Sequence, residues 1–355
     1  MVFSNFIGLI RSIFEKLLDK FKASFGDKNL KEAVVDLLNK AKYELIEVRK
    51  KMKNLEHTNY DLGMYHYNSG NLSDAIFRFK MLKKIFKVSG QIDYFIGRCY
   101  IERNQIEKAK PYIESYLKGM DTTFREEAKY CYDLAYGRIQ NIKAIPQSIV
   151  KRTFNLLAER YDEIFFSKPN LPQDEVYKQI NAYVNEVGSP YGNKVLDLGC
   201  GTGYIAKMLK SNKVSGSIVG VDFSSKMIEI CKALKIDHAP CYDILFEESF
   251  ESYFSKEIDK QFDIIIASKI ISYFNDPLKL LTSCKEMLKT GGVIALTYKV
   301  SSQDKVHFDS LFEEFQFDEA YVAKVALDCG LSIKSSVDVK FPDGDNGKLM
   351  LLIKV

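Results

Sequence analysis

The sequence predicts an all-α region followed by an α/β domain with a mostly parallel sheet. In the first 147 residues, apolar side chains recur at steps of three and four, the spacing of helices buried along one face. Beyond residue 148, short apolar runs alternate with helical patterns, which is typical of parallel strands joined by helices. A chain of 355 residues is long enough for about two such domains.

The N-terminal part divides into two segments. Residues 1–27 are predicted to form an amphipathic helix, and residues 28–147 a helical domain that ends near Pro146. The front helix either packs on protein or touches a membrane surface through residues 2–24. Since no run of about 18 apolar residues occurs, we predict no membrane span.

An internal repeat of 34 residues lies within residues 28–147. It aligns Gly63 with Gly97 and Phe79 with Ile113, each small residue being followed by a large one at the same distance. This pattern resembles the tetratricopeptide repeat, in which small residues let two antiparallel helices approach closely. Such a region can bind a protein partner or mediate self-association.

Charge and cysteine usage narrow the classes of function. Residues 1–147 carry 26 basic and 18 acidic side chains, whereas residues 148–355 carry 25 and 29. The basic half can bind an acidic partner. Its basic and aromatic stretch Arg78–Lys87 lies inside a repeat helix, where lysines usually face solvent, so nucleic-acid binding is not favoured. Seven irregularly spaced cysteines without a C-x-x-C pair indicate reduced thiols, a cytoplasmic location and no metal site.

The domain predicted at residues 148–355 begins with a helical segment and then alternates strands with helices. Six strands are predicted at Lys194–Leu198, Ser217–Val221, Phe262–Ala267, Val293–Tyr298, Leu331–Val339 and Gly347–Lys354. The last of them follows the turn sequence FPDGDNG and is therefore predicted to pair antiparallel with its predecessor.

The stretch VLDLGCGTG places three glycines between the first strand and the next helix. Gly199, Gly201 and Gly203 predict a sharp turn that lets a ligand approach the backbone. The dinucleotide fingerprint requires a glycine at the position of Tyr204, so that ligand class is not indicated. One carboxylate, Asp197, lies two residues before the first glycine. A second, Asp222, ends the next strand 23 residues after the first glycine, where it can accept hydrogen bonds from ribose hydroxyls.

These motifs resemble those of class I S-adenosylmethionine-dependent methyltransferases. The helix opening FSSKMIEICK, the segment APCYDI as the third-strand tip, FDIIIASKIISYF and LKTGGVIAL are similar to later landmarks of that family. With the repeats, the chain resembles a group of predicted bacterial repeat-containing methyltransferases. The resemblance implies a Rossmann-like sheet of seven strands and S-adenosylmethionine as cofactor, with S-adenosylhomocysteine as product.

The resemblance also implies a set of cofactor contacts. Asp197 is expected to pair with the methionine α-ammonium, Asp222 to hold the ribose, and Asp243 to meet the adenine amino group. The remaining expected contacts are made by Gly199, Gly201, Gly203, Phe223, Met227, Ile244 and Ser268, with Met227 or Ile244 flanking the adenine.

The catalytic residues are less defined, because a sulfonium methyl donor requires mainly in-line placement of the acceptor. The segment Arg152–Phe165 resembles a helix that closes over the cofactor in this family, with Phe154, Ala158, Tyr161 and Asp162 at the matching positions. If the acceptor arrives protonated, the candidate bases are Tyr161, Lys269 and His307, followed by Tyr273 and His238.

The methyl acceptor stays open between a small molecule, a lipid-like molecule and a protein. The sequence ASKI follows the fourth strand in place of an Asp/Asn-Pro-Pro-Tyr/Phe motif, which disfavours methylation of adenine amino groups or glutamine amides. The alternative hypothesis is a repeat-type scaffold whose second domain binds S-adenosylmethionine without turnover.

Overall fold

The computed structural model describes residues 30–167, 169–188, 192–256, 261–302 and 304–355. The amphipathic helix predicted at residues 1–27, and its membrane contact through residues 2–24, lie outside the described residues. The chain divides into two compact units, Met1–Cys131 and Tyr132–Val355, here named the helical unit and the sheet unit. The domain bounds inferred from the sequence, 28–147 and 148–355, stay predictions.

The helical unit is built from consecutive helices joined by short turns. The helices are α1 Leu30–Asn68, α2 Leu72–Met81 with a π-helical extension Leu82–Phe86, α3 Gln91–Glu102 and α4 Ile106–Lys118. A fifth helix, α5 Arg125–Ala135, begins in this unit and ends after Cys131. Helix α3 is buried on most of its surface and forms the centre of the unit. A helix that is buried nearly all round must lie between neighbours, which fixes α3 as the core element.

The 34-residue repeat corresponds to a repeated contact between helices. A Cβ atom on Gly63 would lie 2.6 Å from the ring of Phe79, and a Cβ on Gly97 would lie 2.5 Å from the side chain of Ile113. Both large side chains are fully buried. The glycine in each pair therefore permits a close helix approach, and the large residue fills the space between the two helices.

The sheet unit contains a seven-stranded sheet whose strands are largely buried. The strands are β1 Lys194–Leu198, β2 Ser217–Asp222, β5 Ile244–Glu247, β6 Phe262–Ser268, β7 Leu288–Lys299, β10 Leu331–Lys340 and β11 Asn346–Lys354. Two small hairpins lie outside it, β3 Lys235–Ile236 with β4 Ala239–Pro240 and β8 Val306–Asp309 with β9 Glu314–Phe317.

The strand order is β10-β11-β7-β6-β1-β2-β5. Strands β1, β2, β5, β6 and β7 run parallel, and β11 pairs antiparallel with both β7 and β10. The predicted fold class, a Rossmann-like sheet of seven strands with the last one antiparallel after a helical region, is confirmed.

Helices connect the strands and cover the sheet. They are α6 Gln147–Leu157, α7 Tyr161–Phe165, α8 Pro172–Glu186, α9 Tyr204–Ser211, α10 Ser225–Ala233, α11 Phe250–Phe254, α12 Leu278–Met287 and α13 Glu319–Asp328. Ile180 of α8, Leu209 of α9 and Ile228 of α10 join the apolar cluster around the central strands. In the described ranges, no helix is both long and apolar enough to span a membrane.

A buried cation ties the second hairpin to the sheet. The Lys299 side chain, 1% exposed, pairs with the carboxylates of Glu314, Asp343 and Asp345. Burial lowers the pKa of this ammonium, but the three carboxylates together raise it above its usual value. Lysine therefore supplies the positive charge at the one place in the described residues where three acidic side chains converge closely enough to hold a metal ion.

Candidate functional site

The glycine turn follows β1 and forms part of the wall of a cavity in the sheet unit. The three glycines have φ angles of 62°, 55° and 83°, in the left-handed region that favours glycine. A Cβ atom on Gly201 would meet only the carbonyl oxygen of Gly199 at 4.0 Å, and both residues line the cavity. Open space in front of Gly201 is the arrangement expected of a backbone that a ligand approaches.

Gly203 has a packing role instead. Its Cβ would lie 2.8 Å from Leu234 and 3.0 Å from the ring of Tyr242, and Gly203 does not line the cavity. The Cys231 thiol donates a hydrogen bond to the Gly201 carbonyl at 3.0 Å from the same side. A Cβ on Gly199 would lie 3.1 Å from the Ile270 side chain. The turn is thus packed against the protein at Gly199 and Gly203 and open at Gly201, and Gly203 lies off the cavity wall.

Asp222 ends β2 beside the turn, and its side chain lines the cavity. One carboxylate oxygen accepts the Gly201 N–H at 3.0 Å, and the other accepts the Ser224 N–H at 2.8 Å. Burial raises the pKa of this carboxyl to about 6, although the backbone donors favour the charged form. Asp222 is therefore a fixed acceptor on the cavity wall whose charge depends on pH.

Asp197 lies behind the turn, and the structure does not bring it to the cavity wall. Its carboxylate is 3% exposed and accepts a hydrogen bond of 2.8 Å from the Tyr242 hydroxyl. The Tyr242 ring in turn packs against Gly203 and Gly220. Asp197 thus forms an internal pair that supports the turn from below, and its pairing with an ammonium group stays a prediction.

Burial raises the pKa of the Asp197 carboxyl to about 7, while the bond from Tyr242 opposes the rise. The folded state holds this proton more tightly than the unfolded chain, whose usual value is near 3.8. The stabilising contribution is therefore complete below pH 3.8 and is lost as the pH rises to about 7. We expect Asp197→Asn to remove this loss.

Urea unfolding at pH 5 and pH 8 measures the effect. Between these pH values, the wild type should lose on the order of 2 to 3 kcal/mol more unfolding free energy than Asp197→Asn, which keeps an acceptor for Tyr242 but cannot ionise. Parallel pH dependence in the two proteins would contradict the assignment of a raised pKa to Asp197.

Two of the predicted adenine contacts, Asp243 and Ile244, are misplaced. Strand β5 begins at Ile244, opposite Val219, and ends at Glu247, opposite Asp222. Asp243 therefore lies at the amino end of the strand, where it accepts the Ile218 N–H at 2.7 Å. The prediction was wrong because the segment before Asp243 forms the small β3–β4 hairpin rather than the third strand.

The residues at the true carboxyl end of β5 were not predicted. The Glu248 N–H donates to the Asp222 carbonyl at 3.1 Å, and Glu248, Ser249 and Phe250 line the cavity beside Asp222. The signal available in the sequence was the change from the apolar run Ile244–Phe246 to two glutamates. Such a change marks a strand that leaves the sheet at its carboxyl edge.

Two other predicted contacts have opposite outcomes. Phe223 lines the cavity directly after Asp222. Met227 is fully buried in α10 and does not line the cavity, so it belongs to the core. Its backbone N–H is capped by the Ser224 hydroxyl at 3.3 Å, which starts α10 immediately behind the Asp222 loop.

The opposite wall of the cavity is the end of β6. The hydroxyl of Ser268 lies 3.0 Å from that of Thr297, and Ser268 and Lys269 both line the cavity. Lys269 has a left-handed φ of 60°, and its ammonium pairs with Glu314 at 2.9 Å. The only basic side chain on the described cavity wall is therefore held by the β8–β9 hairpin.

His307, the third predicted catalytic residue, is on β8 of that hairpin, opposite Gln316, and does not line the cavity. His238 is in the turn between β3 and β4, also away from the cavity. The structure therefore brings neither histidine to the cavity. The β8–β9 hairpin contributes Glu314, through its contact with Lys269, rather than a histidine.

Helices α6 and α7 supply an aromatic wall. The ring centroid of Phe154 lies 6.1 Å from that of Tyr161 and 5.9 Å from that of Tyr273. All three residues line the cavity. Burial raises the pKa of both tyrosine hydroxyls, and the charge of Asp222 raises each further. Both phenols therefore stay protonated at neutral pH, so Tyr161 and Tyr273 are able to donate hydrogen bonds into the cavity.

Hydrogen bonds fasten this segment to the glycine turn and to the Asp222 loop. The Thr202 hydroxyl donates to Asp162 at 2.6 Å, and the Ser224 hydroxyl donates to Asn155 at 2.7 Å. Asn155 also accepts the Lys226 N–H at 3.3 Å, at the start of α10. Asn155 was not predicted to have a role, yet it joins the aromatic wall to the β2 edge of the cavity.

Known proteins match the part of the chain that contains the glycine turn, Asp222 and Lys269. The family described as "Methyltransferase domain" matches residues 191–343. The chain is 28% identical over 110 residues to "Ubiquinone biosynthesis O-methyltransferase" of Pasteurella multocida, and 30% identical over 110 residues to the protein of that name from Haemophilus ducreyi. These matches cover 29% and 30% of this chain, and in both cases 45% of the relative. The chain therefore spans less than half the length of these relatives.

Two solved structures are similar to part of the chain at low sequence identity. A magnesium protoporphyrin IX methyltransferase from Synechocystis PCC 6803 with bound S-adenosylhomocysteine has a TM-score of 0.47 and 14% identity, over 59% of this chain and 100% of that chain. A 1,6-didemethyltoxoflavin-N1-methyltransferase from Burkholderia thailandensis has a TM-score of 0.46 and 13% identity, over 59% of this chain and 88% of that chain.

Proposed function

We propose that the whole chain is a methyl-transfer enzyme, since its residues 191–343 form a class I methyltransferase domain that takes S-adenosylmethionine. The observation that carries the proposal is one cavity with Gly199, Gly201 and Asp222 on one wall and Ser268 and Lys269 on the other. Its free space, which includes the part open to solvent, is about 830 Å³.

The residues of the cavity fit this cofactor. Asp222 offers carboxylate oxygens to the two ribose hydroxyls, and the bare backbone at Gly201 leaves room for the nucleoside. Phe223 and Phe250, which line the cavity, would offer apolar surface to the adenine, and Glu248 on the same wall would offer an acceptor to its amino group. When bound, S-adenosylmethionine supplies an electrophilic methyl group on a sulfonium.

The protein's own contribution to methyl transfer is placement and exclusion of water. Phe154, Tyr161 and Tyr273 cover the cavity with aromatic rings, which favours an acceptor with an apolar or aromatic body. The names of the relatives support transfer to an oxygen atom. We therefore infer a hydroxyl on an aromatic or lipid-like small molecule as the acceptor, with the protonated phenols of Tyr161 and Tyr273 as hydrogen-bond donors.

Lys269 is the remaining candidate of the three that the sequence suggested for catalysis. Its ammonium faces Glu314 in an ion pair, so it is suited to hold an anionic or partly charged acceptor oxygen rather than to remove a proton. We propose that Lys269 orients the acceptor.

We also infer that the helical unit is tetratricopeptide-like and selects a protein partner or substrate. The repeated contacts Gly63–Phe79 and Gly97–Ile113 support this inference, because a repeat stacks one packing unit on the next. A cytoplasmic location is proposed from the seven cysteines, none of which forms a disulfide in the described part of the chain.

Methyl transfer is tested by incubating the protein with S-adenosylmethionine that carries a labelled methyl group and with fractionated cell lysate. We expect label in an organic-soluble fraction, and no label when the protein carries Gly201→Leu. Label in a protein fraction would overturn the small-molecule acceptor. Tight binding of cofactor with label in no fraction would favour the scaffold that binds without turnover.

A further inference from the structure

Helix α1 is longer than the part of it that packs in its own unit. It spans 39 residues, a length of about 58 Å at 1.5 Å per residue. Near its carboxyl end, Asn59, Gly63 and Tyr67 are buried. Among the residues with described side chains, the part before Asn59 has no buried position.

That exposed part carries a regular apolar stripe. Its positions, here named the α1 seam, are Leu38, Ala41, Leu45, Val48, Met52 and Leu55. The intervals alternate between three and four residues, the spacing of a two-helix coiled coil. Leu38 is 63% exposed, Leu45 45% and Leu55 53%, whereas leucines at such spacing are normally covered by a partner helix.

Charges beside the seam identify the partner. In a parallel pair of identical helices, the residue that precedes each of the seam positions Leu45 and Met52 lies near the residue five positions later on the other helix. Glu44 then meets Arg49 of the second copy, and Lys51 meets Glu56 of the second copy. Both contacts join opposite charges, and each occurs twice by symmetry.

The internal contacts of Asn59 explain why the seam ends at Leu55. The next position in the series, Asn59, accepts a hydrogen bond from Arg78 of α2 at 3.0 Å and donates to the Leu55 carbonyl at 2.8 Å. From there onward α1 packs within its own unit, with Gly63 against Phe79. The series therefore changes from an exposed stripe to an internal contact at Asn59.

We propose that the α1 seam joins two copies of this chain in a parallel, in-register coiled coil. The seam is self-complementary: Leu45 meets Leu45 and Met52 meets Met52, and the flanking charges pair without a second type of chain. This pairing concerns the helical unit alone and does not depend on methyl transfer.

The experiment measures the mass of the full chain by light scattering during gel filtration. The wild type should have twice the chain mass of 40.7 kDa and dissociate on dilution. Leu45→Asp should give the single mass with unchanged helix content by circular dichroism. Ile46→Asp is the matched control, because Ile46 is also exposed, at 41%, but lies off the seam, and it should stay dimeric.

Orientation is tested with the charges. Glu44→Arg should raise the dimer dissociation constant about tenfold, since two attractive pairs become repulsive. Adding Arg49→Glu to that variant should restore the wild-type value. Leu45→Cys should give a disulfide-linked dimer on mild oxidation, because identical seam positions face each other only in the parallel arrangement.

Three results would overturn the proposal. The first is a wild type of single mass at every concentration. The second is a Leu45→Asp protein that dimerises as tightly as Ile46→Asp. The third is a double charge variant no tighter than Glu44→Arg, which would exclude the parallel register.

Discussion

Replacing Gly201 by leucine is expected to weaken binding of S-adenosylhomocysteine by a hundredfold or more while the sheet unit stays folded. A Cβ at this position points into open space, so the added side chain fills the cavity instead of displacing protein atoms. The left-handed φ of 55° adds about 1 to 2 kcal/mol of strain, which a folded domain tolerates. Titration calorimetry and thermal unfolding measure the two effects.

Gly291→Leu is the control for strain. Gly291 has a similar φ of 75°, nothing in the described residues within 4 Å of its Cβ, and no place on the cavity wall. Its melting temperature should fall by an amount similar to that of Gly201→Leu, with unchanged affinity. Tight binding by Gly201→Leu would place the cofactor elsewhere.

Asp222→Ala is expected to weaken cofactor binding by about 1.5 to 3 kcal/mol, or roughly 10- to 150-fold, through loss of charge-assisted hydrogen bonds. The side chain is fixed before binding by the Gly201 and Ser224 N–H groups, so little ordering cost is recovered when it is removed. Asp243→Ala is the matched control, since Asp243 lies at the opposite end of the neighbouring strand. Equal losses in the two variants would contradict the ribose contact.

The same side chain predicts a pH dependence. The raised pKa of about 6 means that the Asp222 carboxyl gains a proton as the pH falls below that value, and a protonated carboxyl is a poorer acceptor. Affinity for S-adenosylhomocysteine should therefore fall about tenfold per pH unit below pH 6. Asp222→Asn should bind weakly at all pH values without this slope, and a wild-type slope in that variant would assign the proton to another group.

Much of the sheet was predictable because its strands are continuous apolar runs between turn signals. The strands from Lys194 and Ser217, and the antiparallel strand after FPDGDNG, lie where the sequence indicated. The third parallel strand could not be predicted, because Ile244–Glu247 is only four residues long and half-exposed. It also follows a hairpin that the sequence did not indicate. A short edge strand carries too few buried side chains for periodicity to show.

The residues of the candidate site also include some that the sequence predicted and some that it did not. Gly199, Gly201 and Asp222 were predictable because a fixed spacing puts them at one edge of two adjacent parallel strands. Asn155 and Glu314 could not be predicted, because their contacts at the site are with residues far away in the sequence. Asn155 bonds to Ser224, 69 positions away, and Glu314 pairs with Lys269, 45 positions away. Such pairings depend on the tertiary fold, and nothing in the local sequence encodes them.

The buried Lys299 has a consequence for solution conditions. Because the Lys299 ammonium already contacts Glu314, Asp343 and Asp345, we expect this corner of the fold to depend little on calcium or magnesium concentration. Chelators should leave the hairpin in place, and so should moderate ionic strength, since mobile ions screen a 1% exposed charge poorly. The neighbouring Lys269 thus keeps its position on the cavity wall across the range of salt conditions found in cells.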